Sequence, residues 1–504
     1  MTLSEILLAR QELRTGTAPG TQDRTSPERS ALSRLRFHPA LVVAIGASAA
    51  LWHEAMHSGL SGDVFYQLAS GRWMLSHHSV IRHDAFSYTV GGRPWLDEEW
   101  GFQVVLAWLV AHLGPVSYWL LSSGACTGAV LLGAARWRRT GAGWLWTATL
   151  SILAAAGLSV ALTPRPQDLS YLFFSLLLLL MSAARRQSRW LFAIPPLLLV
   201  WANVHGSFLL GLGVLALELG WSTLPNWPGR AQLGQGLSKS ATGVTFIASV
   251  VATMVNPHGP RLLAYALRVS TAPQLTSFIA EWQSPDFHSY FYLAIIVGPV
   301  LLLVALLAFT KTVFALDDLV LALLLLLGTL HAVRFTPYFV LAICAVLARW
   351  QPLPRESIRP AILTVPLSAV LAGALLVGPH VPAGAPQVGN GSLATPIAAT
   401  KFLAHQRGRV FSTYWWDDYL ISQGIPVFVD GRTDLYFGTG VLRTYISVST
   451  LSVNPDRVLN RWGIRWVMWD TGDALSTYLA QDPRWRVKLH AGEAVVFERV
   501  GLKR

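Results

Sequence analysis

The chain has 504 residues, of which 53% are hydrophobic and 13% are charged, and its formal net charge at pH 7 is +12. Apolar runs recur along most of its length, which excludes an array of polar-surfaced soluble domains. The basic residues form short clusters between apolar runs, as in the cytoplasmic loops of membrane proteins, and not a continuous stripe for nucleic acid. The two cysteines both lie in apolar runs, so no disulfide framework is expected.

The beginning of the chain predicts a cytoplasmic N-terminus. Residues 1–38 are polar, rich in arginine and without an apolar core, so they predict a disordered tail and not a signal peptide. The next segment, 41–57, is the first apolar run and predicts an uncleaved first span. With the basic clusters placed in the cytoplasm, the C-terminal part of the chain lies outside. The many basic residues favour an anionic inner leaflet, as in a bacterial plasma membrane.

The apolar segments predict an α-helical polytopic membrane domain over residues 39–380. Several segments approach or reach the roughly 20 apolar residues that cross a bilayer as a helix, which gives about eleven transmembrane helices. The segment 96–113 is predicted to be an interfacial helix, because a crossing there would put the later basic clusters on the wrong side. The predicted spans are 41–57, 116–135, 142–162, 169–184, 190–203, 207–221, 241–255, 290–309, 314–330, 336–349 and 361–378.

The outer loop 58–115 carries the strongest functional signal. Between residues 62 and 100 it holds five carboxylates and three histidines, in a chain that has few charges. Acidic residues beside a membrane span are costly to place near lipid, so they indicate a function. Asp63 follows the first span closely, and Asp84 lies in a segment that can fold back towards it. Both are candidate catalytic carboxylates.

Other polar segments fall on the same predicted outer face, at 164–168, 201–206, 256–261, 281–282 and 331–334. Their convergence predicts a site at the mouth of a helical bundle. Taken singly, each is also readable as a helix cap or a turn, because Asn-Pro, Pro-Arg-Pro and His-Gly are ordinary chain breakers. The candidate substrate-binding residues are Glu98, Glu99, Asn203, His205, His258, Glu281 and Trp282.

Arg165, Arg261 and Arg334 lie at outer ends of spans, against the positive-inside bias. An anionic partner such as a lipid phosphate at the outer leaflet explains them, and they are the candidate phosphate-binding residues. The alternative is an ion pair within the protein, for example between Arg334 and Glu281. A divalent metal held by Asp63, Asp84 and one of the histidines at 77, 78 and 83 is a second alternative. The spacing of these residues matches no metal-binding helix pattern, so no metal or other cofactor is predicted.

The composition changes near residue 381. Residues 381–395 are rich in Pro, Gly, Ala and Ser and predict a linker, and 396–504 predict a small extracytoplasmic α/β domain. The predicted strands are 409–412, 426–429, 465–468 and 494–498, and the predicted helices are 417–423, 455–462 and 473–479. The Asp-Gly-Arg segment at 430–432 is readable as a ligand loop or as a tight turn with an Arg–Asp pair. The aromatic run at 414–416 suits stacking on sugar rings or packing of the domain.

With an acidic residue soon after the first span, a second at Asp84 and an amphipathic segment at 95–113, the layout resembles the GT-C superfamily of membrane glycosyltransferases. The resemblance covers residues 38–380 as architecture. It implies polyprenyl-phosphate-linked sugar donors, Asp63 as general base, Asp84 as a second catalytic or orienting carboxylate, and Arg334 as the first choice for the donor phosphate. The segment at 415–419 is similar in letters to the WWDYG motif of oligosaccharyltransferases but lacks its glycine.

The sequence therefore favours a glycosyltransferase that moves a sugar from a polyprenyl-phosphate donor to an extracytoplasmic glycan, lipid or protein. Two other classes remain open. A transporter or flippase of a lipid-linked glycan predicts polar residues at mid-membrane depth and related halves. A non-catalytic assembly protein predicts that function survives when Asp63 becomes Asn.

Overall fold

Apolar helices make up most of the structure before residue 350, and a small mixed domain follows after residue 395. The computed structural model describes residues 62–223, 237–271, 279–310, 314–350 and 396–501, with Thr312 and four residues between 46 and 52. The helices of the first part are α1 Asp63–His77, α2 Trp100–Leu113, α3 Val116–Arg139, α4 Trp144–Ser159, α5 Pro166–Ala184, α6 Ile194–Ala202, α7 Phe208–Thr223, α8 Lys239–Thr253, α9 Arg261–Ser270, α10 Tyr290–Phe309, α11 Leu316–His331 and α12 Thr336–Leu347.

Three of the described helices, α3, α5 and α10, are long and apolar enough to cross a membrane. Five shorter apolar helices accompany them. Each predicted span between 116 and 349 coincides with a described helix, to within a few residues at either end. The predicted tail 1–38, the span 361–378 and the linker 381–395 lie outside the described residues, as does most of the span 41–57.

Two charged side chains lie at the starts of helices. Asp63 is the first residue of α1, where a carboxylate interacts favourably with the helix dipole. Pro166 is the first residue of α5, so Arg165 stands as its N-cap in extended conformation. A glycine lets α1 cross α2 closely, because a Cβ at Gly71 would lie 2.6 Å from the carbonyl carbon of Gln103.

The C-terminal domain is a four-stranded sheet with helices around it. Its order is β1-β2-β4-β3, with β1 parallel to β2 and the other neighbours antiparallel. Its elements are α13 Ile397–Ala404, β1 Arg409–Ser412, α14 Tyr414–Ser422, α15 Val441–Ser449, α16 Pro455–Arg461, β2 Ile464–Asp470, α17 Ala474–Gln481, β3 Trp485–Ala491 and β4 Ala494–Arg499. The sequence did not predict β3, α13 or α15.

The strand predicted at 426–429 is not part of this sheet. Its residue Val427 pairs instead with Ser87 of the outer loop, through hydrogen bonds from Val427 N to Phe86 O (3.2 Å) and from Tyr88 N to Val427 O (3.1 Å). The apolar residues there are β-like because they are buried between the domain and the loop, not because they lie inside the sheet. The outer loop and the C-terminal domain thus share one core, which contains Trp95, Phe411 and Phe428.

Candidate active site

A cavity of about 1100 Å³ lies where the outer loop, the ends of several apolar helices and the C-terminal domain meet. Its volume is at the upper end for pockets that bind small molecules. Eight of the twelve residues that the sequence singled out line it, namely Asp63, Glu98, Glu99, Arg165, His205, Glu281, Trp282 and Arg334. The other four, Asp84, Asn203, His258 and Arg261, do not.

Arg165 lies between two carboxylates of the cavity. Its Nη2 is 3.0 Å from Asp63 Oδ2, and its Nη1 donates to Glu281 Oε1. Burial raises the pKa of the Asp63 carboxyl above its ordinary value, and Arg165 offsets part of that rise. At Glu281 burial acts in the same direction, but Arg165 and Arg334 outweigh it and the pKa is lowered. Asp63 keeps 32% of its side chain exposed, so its carboxylate remains accessible from the cavity.

Arg334 contributes a further positive charge to the cavity. It lies in the 3-10 turn Val333–Phe335, which precedes α12, and its guanidinium carbon is 4.3 Å from the ring centroid of Trp282. Among the described residues no carboxylate lies within ion-pair distance of this guanidinium, so the alternative of an Arg334–Glu281 pair does not hold. Glu281 pairs with Arg165 instead. A cation that is stacked on an indole, and that makes no direct ion pair among the described residues, is suited to an anionic ligand.

Three consecutive acidic residues stand just before α2. Glu99 accepts hydrogen bonds on Oε2 from Tyr66 Oη (3.2 Å) and from Gln67 Nε2. Burial raises the pKa of Glu99 to about 7, and burial together with the charge of Glu99 raises the pKa of Glu98 to about 8. Asp97 is held by Gln103 Nε2 at 2.9 Å, and burial raises its pKa well above the usual range. The carboxyls of Glu98 and Glu99 therefore change protonation near neutral pH.

Gly206 makes room for Glu98. A Cβ at Gly206 would lie 2.8 Å from Glu98 Oε1 and 2.9 Å from its carboxyl carbon, so the turn at 203–207 accommodates no side chain there. Glu98 Oε2 is buried and, among the described residues, has no hydrogen-bond partner. A buried carboxylate oxygen without a partner is costly unless it is protonated or a ligand reaches it.

His205 faces the cavity as a neutral imidazole. The backbone N–H of Ser207 donates to its Nδ1 at 3.3 Å, which leaves the ring proton on Nε2. That Nε2 lies 3.9 Å from Glu99 Oε1, too far for a hydrogen bond. Burial, with a contribution from Arg334, lowers the pKa of His205 to about 3, so the ring is uncharged at neutral pH.

Asp84 does not line the cavity, and its carboxylate forms a buried ion pair. Its Oδ1 accepts from Arg432 Nη2 at 2.6 Å, Arg432 also bonds Asp430 Oδ2 at 2.7 Å, and the three side chains are fully buried. The Arg432 guanidinium also stacks on the rings of Phe86 and Trp95. These contacts attach the outer loop to the C-terminal domain, so the geometry gives Asp84 a structural position.

The other three predicted residues outside the cavity are Asn203, His258 and Arg261. The first two contact backbone carbonyl oxygens. Asn203 Nδ2 donates to two carbonyls, of Leu199 (2.8 Å) and Val255 (2.9 Å). His258 Nε2 lies 3.1 Å from the carbonyl oxygen of Asp97. Arg261 is exposed at the start of α9. The interpretation of these polar residues as caps and turns therefore fits Asn203 and His258.

The C-terminal domain supplies cavity residues that the sequence left undecided. The Asp430–Arg432 pair makes the tight turn that one interpretation predicted. The same segment lines the cavity with Gly431, Arg432, Thr433 and Asp434, and its role as a ligand loop stays a prediction. Asp434 Oδ2 accepts from Tyr265 Oη at 2.6 Å, which ties the domain to α9. The neighbouring aromatic residues Tyr414 and Trp415 also line the cavity, whereas Trp416 is buried in the domain core.

A divalent metal is not favoured between the converging carboxylates of this cavity. Among the described residues no group of three His, Cys, Asp or Glu side chains is arranged to hold a metal ion. The space between Asp63 and Glu281 is filled by the Arg165 guanidinium, which is itself the positive charge shared by both. The residues present therefore do not fit a metal at that point.

Solved structures of two membrane glycosyltransferases have a similar fold. ArnT of Cupriavidus metallidurans in the apo state matches with a TM-score of 0.53 and 16% identity, over 91% of this chain and 97% of that one. The oligosaccharyltransferase AglB of Archaeoglobus fulgidus, solved with an inhibitory peptide and a dolichol-phosphate, matches with a TM-score of 0.52 and 10% identity, over 90% of this chain and 71% of that one. Both have the GT-C fold.

The chain has the GT-C fold. This confirms the fold that the sequence resemblance implied. No family model matches the sequence. No curated protein matches it either.

Proposed function

We propose that the chain is a membrane glycosyltransferase that moves a sugar from a polyprenyl-phosphate donor to an extracytoplasmic acceptor. The observation that carries the proposal is the cavity itself, in which the accessible Asp63 carboxylate and the Arg334 guanidinium converge from α1 and from the turn before α12. Glycosyl transfer needs a carboxylate at the acceptor hydroxyl and a cation at the departing phosphate.

Asp63 is the general base in this proposal. The acceptor hydroxyl gives its proton to the Asp63 carboxylate while its oxygen forms a bond to the anomeric carbon of the donor sugar. The bond between that carbon and the phosphate oxygen breaks, and its electron pair leaves with the polyprenyl phosphate. Burial raises the pKa of Asp63 towards the working pH, which suits a base, and Arg165 at 3.0 Å fixes the direction of the carboxylate.

Arg334 binds the departing phosphate. Its charge is not paired with a carboxylate of the described residues, and stacking on Trp282 holds its plane. A guanidinium donates to two phosphate oxygens at once, and its hydrogen bonds strengthen as negative charge develops on the leaving group. The lipid phosphate seen in the AglB structure, a dolichol-phosphate, supports a ligand of this class for the shared fold.

The remaining cavity carboxyls surround the acceptor in this mechanism. Glu99 is fixed by Tyr66 and Gln67, and Glu98 fits against Gly206. Both have pKa values near the physiological range, so they accept or donate hydrogen bonds to sugar hydroxyls. Asp84 takes no part in the chemistry, because its side chain is fully buried against Arg432.

The test is transfer of radiolabelled sugar from a panel of polyprenyl-phosphate sugars by the full-length protein in liposomes. We expect Asp63→Asn to lower the transfer rate by about 10²- to 10⁴-fold, the usual contribution of a general base. The matched control is Asp482→Asn, which changes a carboxylate outside the cavity and is expected to leave transfer unchanged.

The outcomes separate the competing functions. Loss of transfer in Asp63→Asn, with unfolding temperature unchanged, supports the proposal. Transfer that persists in Asp63→Asn rejects Asp63 as the base. Absence of transfer from every donor, with the wild-type protein folded in the membrane, rejects the transferase and favours a non-catalytic assembly protein.

A further inference from the structure

A second cavity, of about 620 Å³, lies on the C-terminal domain at the ends of two parallel strands. It is lined by residues that follow β1 (Thr413, Tyr414) and residues that end or follow β2 (Asp470, Gly472). Ligands in sheets with parallel strands bind at the carboxyl ends of the strands, where loops diverge. The volume lies within the range of ~300–1,000 Å³ for small-molecule pockets.

Aromatic faces and neutral or acidic oxygens line this cavity. Its four aromatic side chains are Tyr414, Trp415, Tyr445 and Trp469, and its polar side chains are Thr413, Ser449, Asp470 and Asp473. No lysine, arginine or histidine is among its described lining residues, which disfavours phosphates, nucleotides and other anions. Apolar faces beside a few fixed acceptors suit a neutral polyhydroxyl compound.

Trp415 and Asp470 are the groups most open to a ligand. Trp415 has 58% of its surface exposed, so its indole face is available for stacking. Asp470 Oδ1 accepts from the backbone N–H of Gly472 at 2.7 Å, which orients the carboxylate and leaves Oδ2 for a ligand hydroxyl. Thr413 is 6% exposed, and its Oγ1 has no hydrogen-bond partner among the described residues.

The frame around these groups is fixed before any ligand arrives. Asp473 caps α17 at the N–H of Ala474 and accepts from Trp469 Nε1 at 2.7 Å, so its carboxylate orients the indole. Tyr445 Oη accepts from the backbone N–H of Tyr414 at 2.6 Å, which joins α15 to the start of α14. A preorganised pocket binds without a large ordering cost.

The two cavities share a wall. Tyr414, Trp415 and Tyr445 line both, and Tyr414 Oη bonds Thr433 Oγ1 of the main cavity at 2.9 Å. The second cavity therefore adjoins the main cavity at these three side chains.

We propose that this second cavity is a saccharide subsite that holds the acceptor, with a sugar ring stacked on Trp415 and its hydroxyls donating to Asp470 and Thr413. This inference rests on the proposed function in one respect, namely that the bound saccharide is the acceptor. Binding of the saccharide itself does not depend on transfer.

The test is saturation-transfer difference NMR on the full-length protein in lipid nanodiscs, with cellobiose, lactose, maltose and N,N′-diacetylchitobiose as probes. We expect binding of at least one disaccharide, with the signal weakened about tenfold or more by Asp470→Asn, which removes one charge-assisted hydrogen bond. Ser449→Phe, which fills the cavity from α15, is expected to abolish the signal.

The matched control for the filling variant is Thr450→Phe, at the next residue, which is exposed and does not line the cavity. It is expected to bind as the wild type does. No saccharide signal in the wild type overturns the proposal, as does a signal that survives Ser449→Phe. Binding of phosphocholine or a lysine peptide, with no saccharide signal, also overturns it in favour of a cation-binding aromatic pocket.

The outcome is separable from that of the proposed function. If Asp63→Asn abolishes transfer while Ser449→Phe leaves the acceptor KM unchanged, the subsite fails and the transferase stands. If no donor supports transfer but saccharide binding is lost in Ser449→Phe, the transferase fails and the binding site stands.

Discussion

Arginine and carboxylate side chains lie at both ends of the helical part, but their charges are balanced differently at the two ends. On α5, Arg165 stands at the first end and Arg185 at the other, about 30 Å apart for a helix of this length. Arg185 belongs to a network at the second end, in which Arg185 pairs with Glu218 and Asp317, Arg136 pairs with Asp318, and Arg349 lies 4.0 Å from Asp318.

At that second end three arginines face three carboxylates. At the cavity end three guanidiniums, of Arg165, Arg334 and Arg432, share their surroundings with a larger set of carboxyls, Asp63, Asp97, Glu98, Glu99, Glu281, Asp286 and Asp434. The balanced cluster joins helices and leaves no charge for a ligand. The unbalanced cluster has more carboxyls than guanidiniums, and the pKa values of Glu98 and Glu99 lie near neutral pH, a feature of binding and catalytic sites.

The largest effect that tests this contrast is expected from Asp318→Asn. The change leaves Arg136 and Arg349 without their carboxylate among apolar helices, and breaking a buried pair in this way costs about 3–5 kcal/mol of unfolding free energy. Denaturant unfolding in detergent measures it. The transfer rate of the protein that remains folded is expected to stay at the wild-type value. An unchanged unfolding free energy would show that this cluster does not stabilise the bundle.

Arg334→Ala tests the cavity end from the side of its cation. We expect polyprenyl-phosphate binding to weaken by about 1.5–3 kcal/mol, the size of a hydrogen bond to a charged group, with little change in stability because no ion pair is broken. Titration of the donor against the protein in nanodiscs gives the Kd. Arg261→Ala, at an exposed position outside the cavity, serves as the control and is expected to bind the donor normally.

Gly206→Ala tests the fit of Glu98. The added methyl group would overlap the Glu98 carboxylate, so this flexible end of the side chain must move, at a cost of about 1 kcal/mol. We expect a lower unfolding temperature and a higher KM for the acceptor. Gly213→Ala, where nothing lies within 4 Å of the added Cβ, is the matched control and is expected to change neither quantity. Equal behaviour of the two variants would contradict the contact between Gly206 and Glu98.

The smallest effect is expected in the pH dependence of stability. The pKa of Glu98 is raised to about 8 in the folded protein, so its neutral form stabilises the fold below its unfolded pKa, near 4.5. This contribution is lost as the pH rises through about 8. Thermal unfolding followed by fluorescence should show a decline over this interval that Glu98→Gln reduces by about 2–4 °C. A decline of the same size in Glu98→Gln would assign it to other groups.

The helices were predictable because hydropathy acts locally. A run of apolar residues must satisfy its backbone hydrogen bonds within itself when it enters lipid, so each described span is visible as a run in the sequence. The sheet was harder to predict. The side chains of β3 are mostly exposed and alternate only weakly between polar and apolar. The β-like residues at 426–429 pair with a loop some 340 residues away in sequence.

The sequence by itself determined that the chain is a helical membrane protein with an acidic outer loop, and it placed Asp63, Arg165 and Arg334 near one site. Only the tertiary structure decided which charges pair. Asp84 and Arg432 are 348 residues apart and fully buried together, whereas Glu281 pairs with Arg165, and Arg334 makes no ion pair with any carboxylate that the structure describes. Ion pairs depend on distances across the fold, and a sequence pattern contains no information on those distances.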